Sequence, residues 1–176
     1  PQLVEQPDST GYAFGASVTA AGLYMLPSTA AMLFVGPMAG RLERRFGSKT
    51  PLVAGVVFAM ASFVLLAVAH DASADIYIAS GLLGIGIGLA FAAMANLIVV
   101  AVPADQTGVA TGVNTVMRTI GGALGSQIIA SILTATVVAA SGVPTERGFT
   151  IAFWLAAGVL AVCVLASLAI PGRPRP

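Results

Sequence analysis

The stretch GRLERRFGSKTPLVAGVVFAMASFVLLAVA, Gly40 to Ala69, changes character at Pro51. Before it, Arg41, Glu43, Arg44, Arg45 and Lys49 crowd into a few positions; after it, no charge occurs until Asp71. At 1.5 Å per residue, the run from Pro51 to Ala69 makes a helix about 28 Å long. That length matches the roughly 30 Å hydrocarbon core of a bilayer. A charged stretch meeting such a run predicts a helix entering a membrane from a polar boundary.

The same pattern recurs on both sides. Apolar runs cover about 12–39, 51–69, 76–102, 108–140 and 149–170, and Arg118 is the charge that interrupts the fourth. The 176 residues are 57% hydrophobic and only 9% charged, with a mean hydropathy of +0.95. Soluble domains carry about 25% charged residues, so the main solvent here is lipid. Transmembrane β-strands would alternate over about 10 residues, and these runs do not. The expected fold is an all-α integral membrane bundle of five transmembrane helices. It is framed by a polar segment at 1–11 and a tail at 171–176.

Short connectors, HDASAD at 70–75, PADQT at 103–107 and SGVPTERG at 141–148, leave no room for a soluble domain. Cytoplasmic connectors carry the excess of Lys and Arg. With five spans, Arg41, Arg44, Arg45, Lys49, Arg173 and Arg175 fall on one side, and Arg147 falls on the other with Glu5, Asp8, Asp71, Asp75 and Glu146. The basic loop and the C-terminus are therefore expected in the cytoplasm and the N-terminus outside. The chain opens on Pro1 and a polar PQLVEQPDST without a signal-peptide pattern, as a piece of a longer protein would.

Several function classes find no support. A net charge of +1 gives nucleic acid no purchase. The one cysteine, Cys163, lies in an apolar run and reads as packing. No His/Cys/Asp/Glu spacing suits a metal, and no nucleophile stands beside a base. Catalytic residues, metals and cofactors are therefore not expected, nor is an enzyme. GLLGIGIG at 81–88 lacks the spacing and setting of a dinucleotide loop.

Polarity inside the spans is uneven. The second and fifth runs are nearly featureless and read as facing lipid. The first, third and fourth carry Tyr24, Asn96, Asn114 and Arg118, and polar groups inside a membrane face protein or water. Gly84 with Gly88, Gly108 with Gly112, and Gly121 with Gly125 are four apart, the spacing that lets helix backbones approach; Gly122 lies beside that face. Arg118 shares a face with Asn114, Gly121 or Gly122, and Gly125. A central arginine costs about 2.5–3.5 kcal/mol on the insertion scale, and either a helix–helix hydrogen bond or a transport path would compensate it. His70, beside Asp71, reads as an interfacial polar residue.

The basic stretch resembles the cytoplasmic loop motif of the major facilitator superfamily, through Gly40, Leu42, Arg45, Gly47 and Lys49. Arg44 stands where that motif has Asp, and Ser48 replaces a basic residue. TGVATGVNTVMRTIGGALGSQI, 107–128, is similar to the penultimate helix of the fourteen-span drug:proton antiporter branch, and AGLYMLPSTAAMLFVGPMAGRL, 21–42, resembles the same branch. The resemblance implies the last five helices of an incomplete six-helix C-terminal bundle. It implies a secondary active transporter that exports drug-like or amphipathic molecules by alternating access, in the cell (inner) membrane. Its partners would be the bilayer, a small-molecule substrate and the remaining helices of the full-length transporter. Cavity or seam residues would come from Tyr24, Met25, Phe91, Met94, Asn96, Asn114 and Arg118. An importer of the same fold is the nearest alternative; a non-transporting membrane subunit or truncated product is the more distant one.

Overall fold

The structure, a computed structural model, describes residues 2–7, 10–70, 72–138 and 142–170. The helices are α1 (Gln2–Glu5), α2 (Val18–Phe46), α3 (Lys49–Val68), α4 (Ser73–Ala101), α5 (Thr107–Ala135) and α6 (Glu146–Ala169), with a 3₁₀ turn at Ala104–Gln106 leading into α5. Five of them, α2 to α6, are long and apolar enough to cross a bilayer. A helix satisfies its own backbone polar groups, which lipid requires of any spanning segment. The protein is an integral membrane protein of the all-α class. Successive spans alternate in direction, so the α2–α3 turn and the α6 C-terminus share one end, called here the turn end.

Helix limits follow hydrogen bonds more than hydropathy. The first span starts at Val18, later than the apolar run, because Ser17 accepts from Ala20 N at 3.3 Å and caps it. It continues past residue 39, where the apolar run ends, as far as Phe46. Gly47, at φ 80°, makes the stop, and its N–H reaches Glu43 O at 2.8 Å. Only glycine adopts that left-handed angle at little cost. Arg44 and Arg45 thus occupy the last turn of α2, where the helix dipole favours cations. The basic stretch is mostly helix. The fourth span ends at Ala135, short of residue 140, where Thr136 Oγ1 donates to the carbonyls of Ile132 and Leu133 and the chain turns toward an isolated bridge between Val137 and Pro144.

The centre of the bundle is α4, and glycines put it there. Two residues along a helix advance about 200°, so Gly84 and Gly88 face one way and Gly86 the other. A Cβ on Gly84 would stand 2.2 Å from Ser28 O of α2, and one on Gly88 would stand 3.5 Å from Met32 Cα. A Cβ on Gly86 would stand 2.7 Å from both Gly55 O and Ala59 N of α3. α4 is therefore clasped between α2 and α3.

That arrangement corrects the lipid-facing reading of the second run. α3 buries Leu52, Gly55, Ala59, Ser62 and Ala67, and Ser62 donates to Ala79 O of α4 at 2.7 Å. Its other side meets α6, with the Phe63 and Phe153 ring centroids 6.5 Å apart. The segment at 1–11 is also not purely polar. α1 buries Leu3 and Val4, and Ala16 N donates back to Val4 O at 2.8 Å.

α5 leans away from this core. Leu133 is its one buried residue, packed with Leu3 and Phe149. Packing through Gly121, Gly122 and Gly125 does not occur among the described residues: a Cβ on any of them, or on Gly108 or Gly112, meets nothing within 4 Å. The small-residue face is present, but no neighbour in this chain reaches it.

Candidate functional site

Arg118 sits two to three turns into α5. Its guanidinium lies over the Phe91 ring of α4, 4.7 Å from the centroid. A cation over an aromatic face gains about 0.5–1 kcal/mol when exposed and about 2 when desolvated. That offsets part of the roughly 2.5–3.5 kcal/mol insertion cost, so the ring alone does not settle the charge. Several hydroxyls on α5 return to their own helix. Thr115 donates to Thr111 O at 3.0 Å and Thr119 to Thr115 O at 2.9 Å. Asn114, one turn before Arg118, is half-buried. Arg118 is exposed beside Phe91, and its charge calls for water or further protein.

The other expected cavity residues do not gather around it. Tyr24 lies at the end opposite the turn, its hydroxyl 3.0 Å from Ser73 Oγ and its ring stacked on Tyr77 at 4.6 Å. Met25 borders an apolar cavity at the same end. Asn96 lies at the turn end and donates to Ser48 Oγ at 2.9 Å; Met94 is half-buried on α4. The set thus divides into an Arg118–Phe91 pair at mid-depth and two groups that fasten helix ends.

The loop-motif residues do the fastening at the turn end. Leu42 packs with Val35, Ala39 and Leu89 between α2 and α4. The Arg45 guanidinium covers the Phe46 ring at 5.2 Å. Lys49 donates to Leu168 O at 2.7 Å, giving a cation to the carbonyl end of α6. With Asn96–Ser48, one turn is tied to both α4 and α6. Arg173 and Arg175, and the tail at 171–176, lie outside the described residues.

The opposite end is closed differently. His70 is buried, its Nε2 3.3 Å from Glu146 Oε1, linking α3 to α6. Its neighbour in sequence, Asp71, lies outside the described residues, and Glu146 was not legible as its partner because 76 positions separate them. Tyr12 donates to Pro144 O and its ring meets Phe149 at 6.1 Å. Burial pushes the Tyr12 phenol up from its ordinary value; a hydrogen bond with Thr10 opposes the shift and the charge of Glu146 adds to it. Among the described residues, no group of His, Cys, Asp or Glu is placed to hold a metal.

Comparison with known proteins fits this geometry. The family model described as Major Facilitator Superfamily matches residues 8–126. The multidrug resistance protein Stp of Mycobacterium tuberculosis is 32% identical over 134 residues, covering 76% of this chain and 25% of Stp. The tetracenomycin C resistance and export protein of Streptomyces glaucescens is 30% identical over 126 residues, 70% of this chain and 23% of that protein. The methyl viologen resistance protein SmvA of Salmonella typhimurium is 32% identical over 136 residues, 76% of this chain and 27% of SmvA. The chain spans about a quarter of the length of the curated relatives it matches.

Proposed function

The chain belongs to the major facilitator superfamily, and on that premise we propose that it is the C-terminal portion of a secondary active transporter that exports drug-like or amphipathic molecules by alternating access. The observation that carries the reading is α5. An arginine near the middle of a spanning helix is held by one aromatic ring and otherwise uncovered. A water-containing cavity between two helical bundles lowers the cost of such a charge, and alternating access works by rocking one bundle against another. The relatives' names, which speak of multidrug resistance and of tetracenomycin C export, favour efflux over import.

In this reading, α5 and the exposed side of α2 face the seam between halves. Phe91, Asn114 and Arg118 border the path, and Gly121, Gly122 and Gly125 give a partner helix room. The turn end is cytoplasmic, supported by Arg41, Arg44, Arg45 and Lys49 there against Arg147 with Glu146 and Asp75 at the other end. The membrane is the cell (inner) membrane. The span carries no carboxylate beside Arg118, so a proton carrier would reside on other helices of the complete transporter.

Efflux of methyl viologen and of ethidium from drug-hypersensitive cells tests the proposal. The complete protein should lower accumulation of at least one of them, and collapse of the membrane potential and proton gradient should restore it. Unchanged accumulation of both, at a verified membrane level of the protein, overturns the export reading.

A further inference from the structure

His70, the one histidine of the chain, directly follows Ala69, the C-cap of α3. Glu146 is the first residue of α6. His70 is 5% exposed, and its ring meets Phe153 edge-on with centroids 6.5 Å apart. Its Nε2 stands 3.3 Å from Glu146 Oε1. Both partners belong to this chain, so further helices of a complete transporter would bury His70 more deeply but do not create the contact.

The contact is electrostatic. Nε2 lies at ion-pair distance from the carboxylate yet makes no hydrogen bond in that position, so a neutral imidazole gains little there. A protonated one faces an opposite charge, which favours it. The helix ends add to the preference. Cations are favoured at a helix C-terminus and anions at an N-terminus, and His70 and Glu146 occupy those ends of α3 and α6. Burial opposes the charged form. The other described groups at this end that carry or can take a charge are Glu5, Tyr12, Asp75 and Arg147. Asp75 Oδ2 already accepts from Ala72 N at 3.3 Å, and Glu5 and Arg147 are exposed. Asp71, next in sequence, lies outside the described residues. Among the described residues, Glu146 is the one charged group at ion-pair distance from His70.

We propose that His70 and Glu146 form a proton-dependent clasp, which fastens the end of α3 to the start of α6 in acid and releases it as pH rises. In ordinary surroundings imidazole changes charge between pH 5 and 8, and a carboxylate stays ionised above about 4.3. The clasp is therefore closed near pH 5.5 and open near pH 8. Release reaches beyond the pair. The charge of Glu146 also bears on Tyr12, which donates to Pro144 O. Thr145, the N-cap of α6, donates its N–H to Thr136 O at the end of α5, at 3.1 Å. The clasp thus connects α3 with the α5–α6 connection and with the segment before α2. In the proposed orientation this end faces outside; the clasp itself rests neither on that orientation nor on the transporter reading.

Nuclear magnetic resonance of the complete protein in detergent, labelled with carbon-13 at histidine, tests the clasp without requiring transport. The resonance lost in His70→Gln identifies His70, and it should titrate between pH 5 and 8. Glu146→Gln should lower its proton affinity about threefold, as loss of a partly exposed ion pair would. Hydrogen exchange supplies the second readout. After correction for intrinsic rates, amides of the first turn of α6 should be better protected at pH 5.5 than at pH 8, and Glu146→Gln should remove that difference. Glu146 also gains from the α6 dipole, but that share is the same at both pH values, so the difference isolates His70. Because Glu146 is exposed, Glu146→Gln should fold even if His70→Gln does not, and the one histidine resonance that it shifts then marks His70. A His70 that stays neutral down to pH 5, an unchanged proton affinity in Glu146→Gln, or equal protection at the two pH values in the wild type overturns the proposal. A failed efflux assay leaves these measurements standing.

Discussion

Lys49 Nζ stands 2.7 Å from the carbonyl oxygen of Leu168, so the first residue of α3 caps the last turn of α6. The last carbonyls of any helix lack partners within it, and a cation there also meets the negative end of the dipole. Lys49→Met should therefore lower the melting temperature of the solubilised protein, at a cost of about 1 kcal/mol. Lys49→Arg keeps a donor within reach and should recover most of it. Circular dichroism melts of the three proteins decide the matter; identical melts would remove the cap from the account.

The glycines separate into two classes that substitution should reveal. Alanine favours a helix over glycine by about 1 kcal/mol, so an uncrowded glycine should gain from the change. Gly121 and Gly125 have open space where a Cβ would go, and Gly121→Ala in this chain should be neutral or stabilising. Gly84 and Gly86 have backbone atoms there, at 2.2 and 2.7 Å. Gly84→Ala and Gly86→Ala should cost about 1–3 kcal/mol by forcing helices apart. Melting temperatures with Gly121→Ala at or above wild type and Gly84→Ala below it are expected; the reverse order would contradict the placement of α4.

These residues also mark how far the sequence could be read. The spans were visible because hydropathy averages over some twenty positions, and no single residue can hide the average. The turn glycine, Gly47, was visible because its neighbours are charged. The burial of α3 was not: Gly55, Ala59 and Ser62 look the same to a hydropathy scale whether they face lipid or a helix. Gly86 stood in plain view between Gly84 and Gly88, yet spacing of four drew attention to one face only. Phe91 was legible as a candidate, but its position over Arg118 depends on how α4 and α5 pack, which no local pattern encodes. Helix ends were misjudged where one hydrogen bond decides, at Ser17 and at Thr136.

Tyr12 gives a pH prediction outside the spans. Its folded pKa is raised, chiefly by burial, so the contribution of its hydrogen bond to Pro144 O is fully present below the ordinary tyrosine value of about 10. That contribution is lost as pH rises through the higher folded value. Phenolate absorbance should appear later for Tyr12 than for free tyrosine, and Tyr12→Phe should remove the late component. A Tyr12 component titrating at or below the free value would contradict the burial.

Orientation is open to a labelling experiment. Thr50, at the start of α3, and Ala72, just before α4, are both exposed at opposite ends of the bundle. With Cys163→Ala as background, Ala72→Cys should react with a membrane-impermeant maleimide in intact cells. Thr50→Cys should react only after permeabilisation. The opposite result would invert the proposed topology.

Arg118 over Phe91 is where a structural and a transport role predict different things. If the pair only glues α4 to α5, Arg118→Gln should reduce folded yield, and flux per folded molecule should stay normal. If Arg118 borders the path, folded yield should hold while flux falls, and Arg118→Lys should rescue it only in part, because lysine keeps the charge but lacks the planar face that stacks on a ring. The ring's own share is measured by a cycle with Phe91→Leu. A coupling of about 1 kcal/mol in stability is the expected worth of the cation–ring contact. The contact meets less than the insertion cost of the charge, and the side chain is exposed in this chain, so most of what stabilises Arg118 must come from water or from other helices. That balance favours the path. The expected outcome is a drop in flux of about tenfold or more for Arg118→Gln, with Phe91→Leu adding little on top of it. Normal flux per folded Arg118→Gln molecule would falsify the transport role and leave Arg118 as a packing residue of α5.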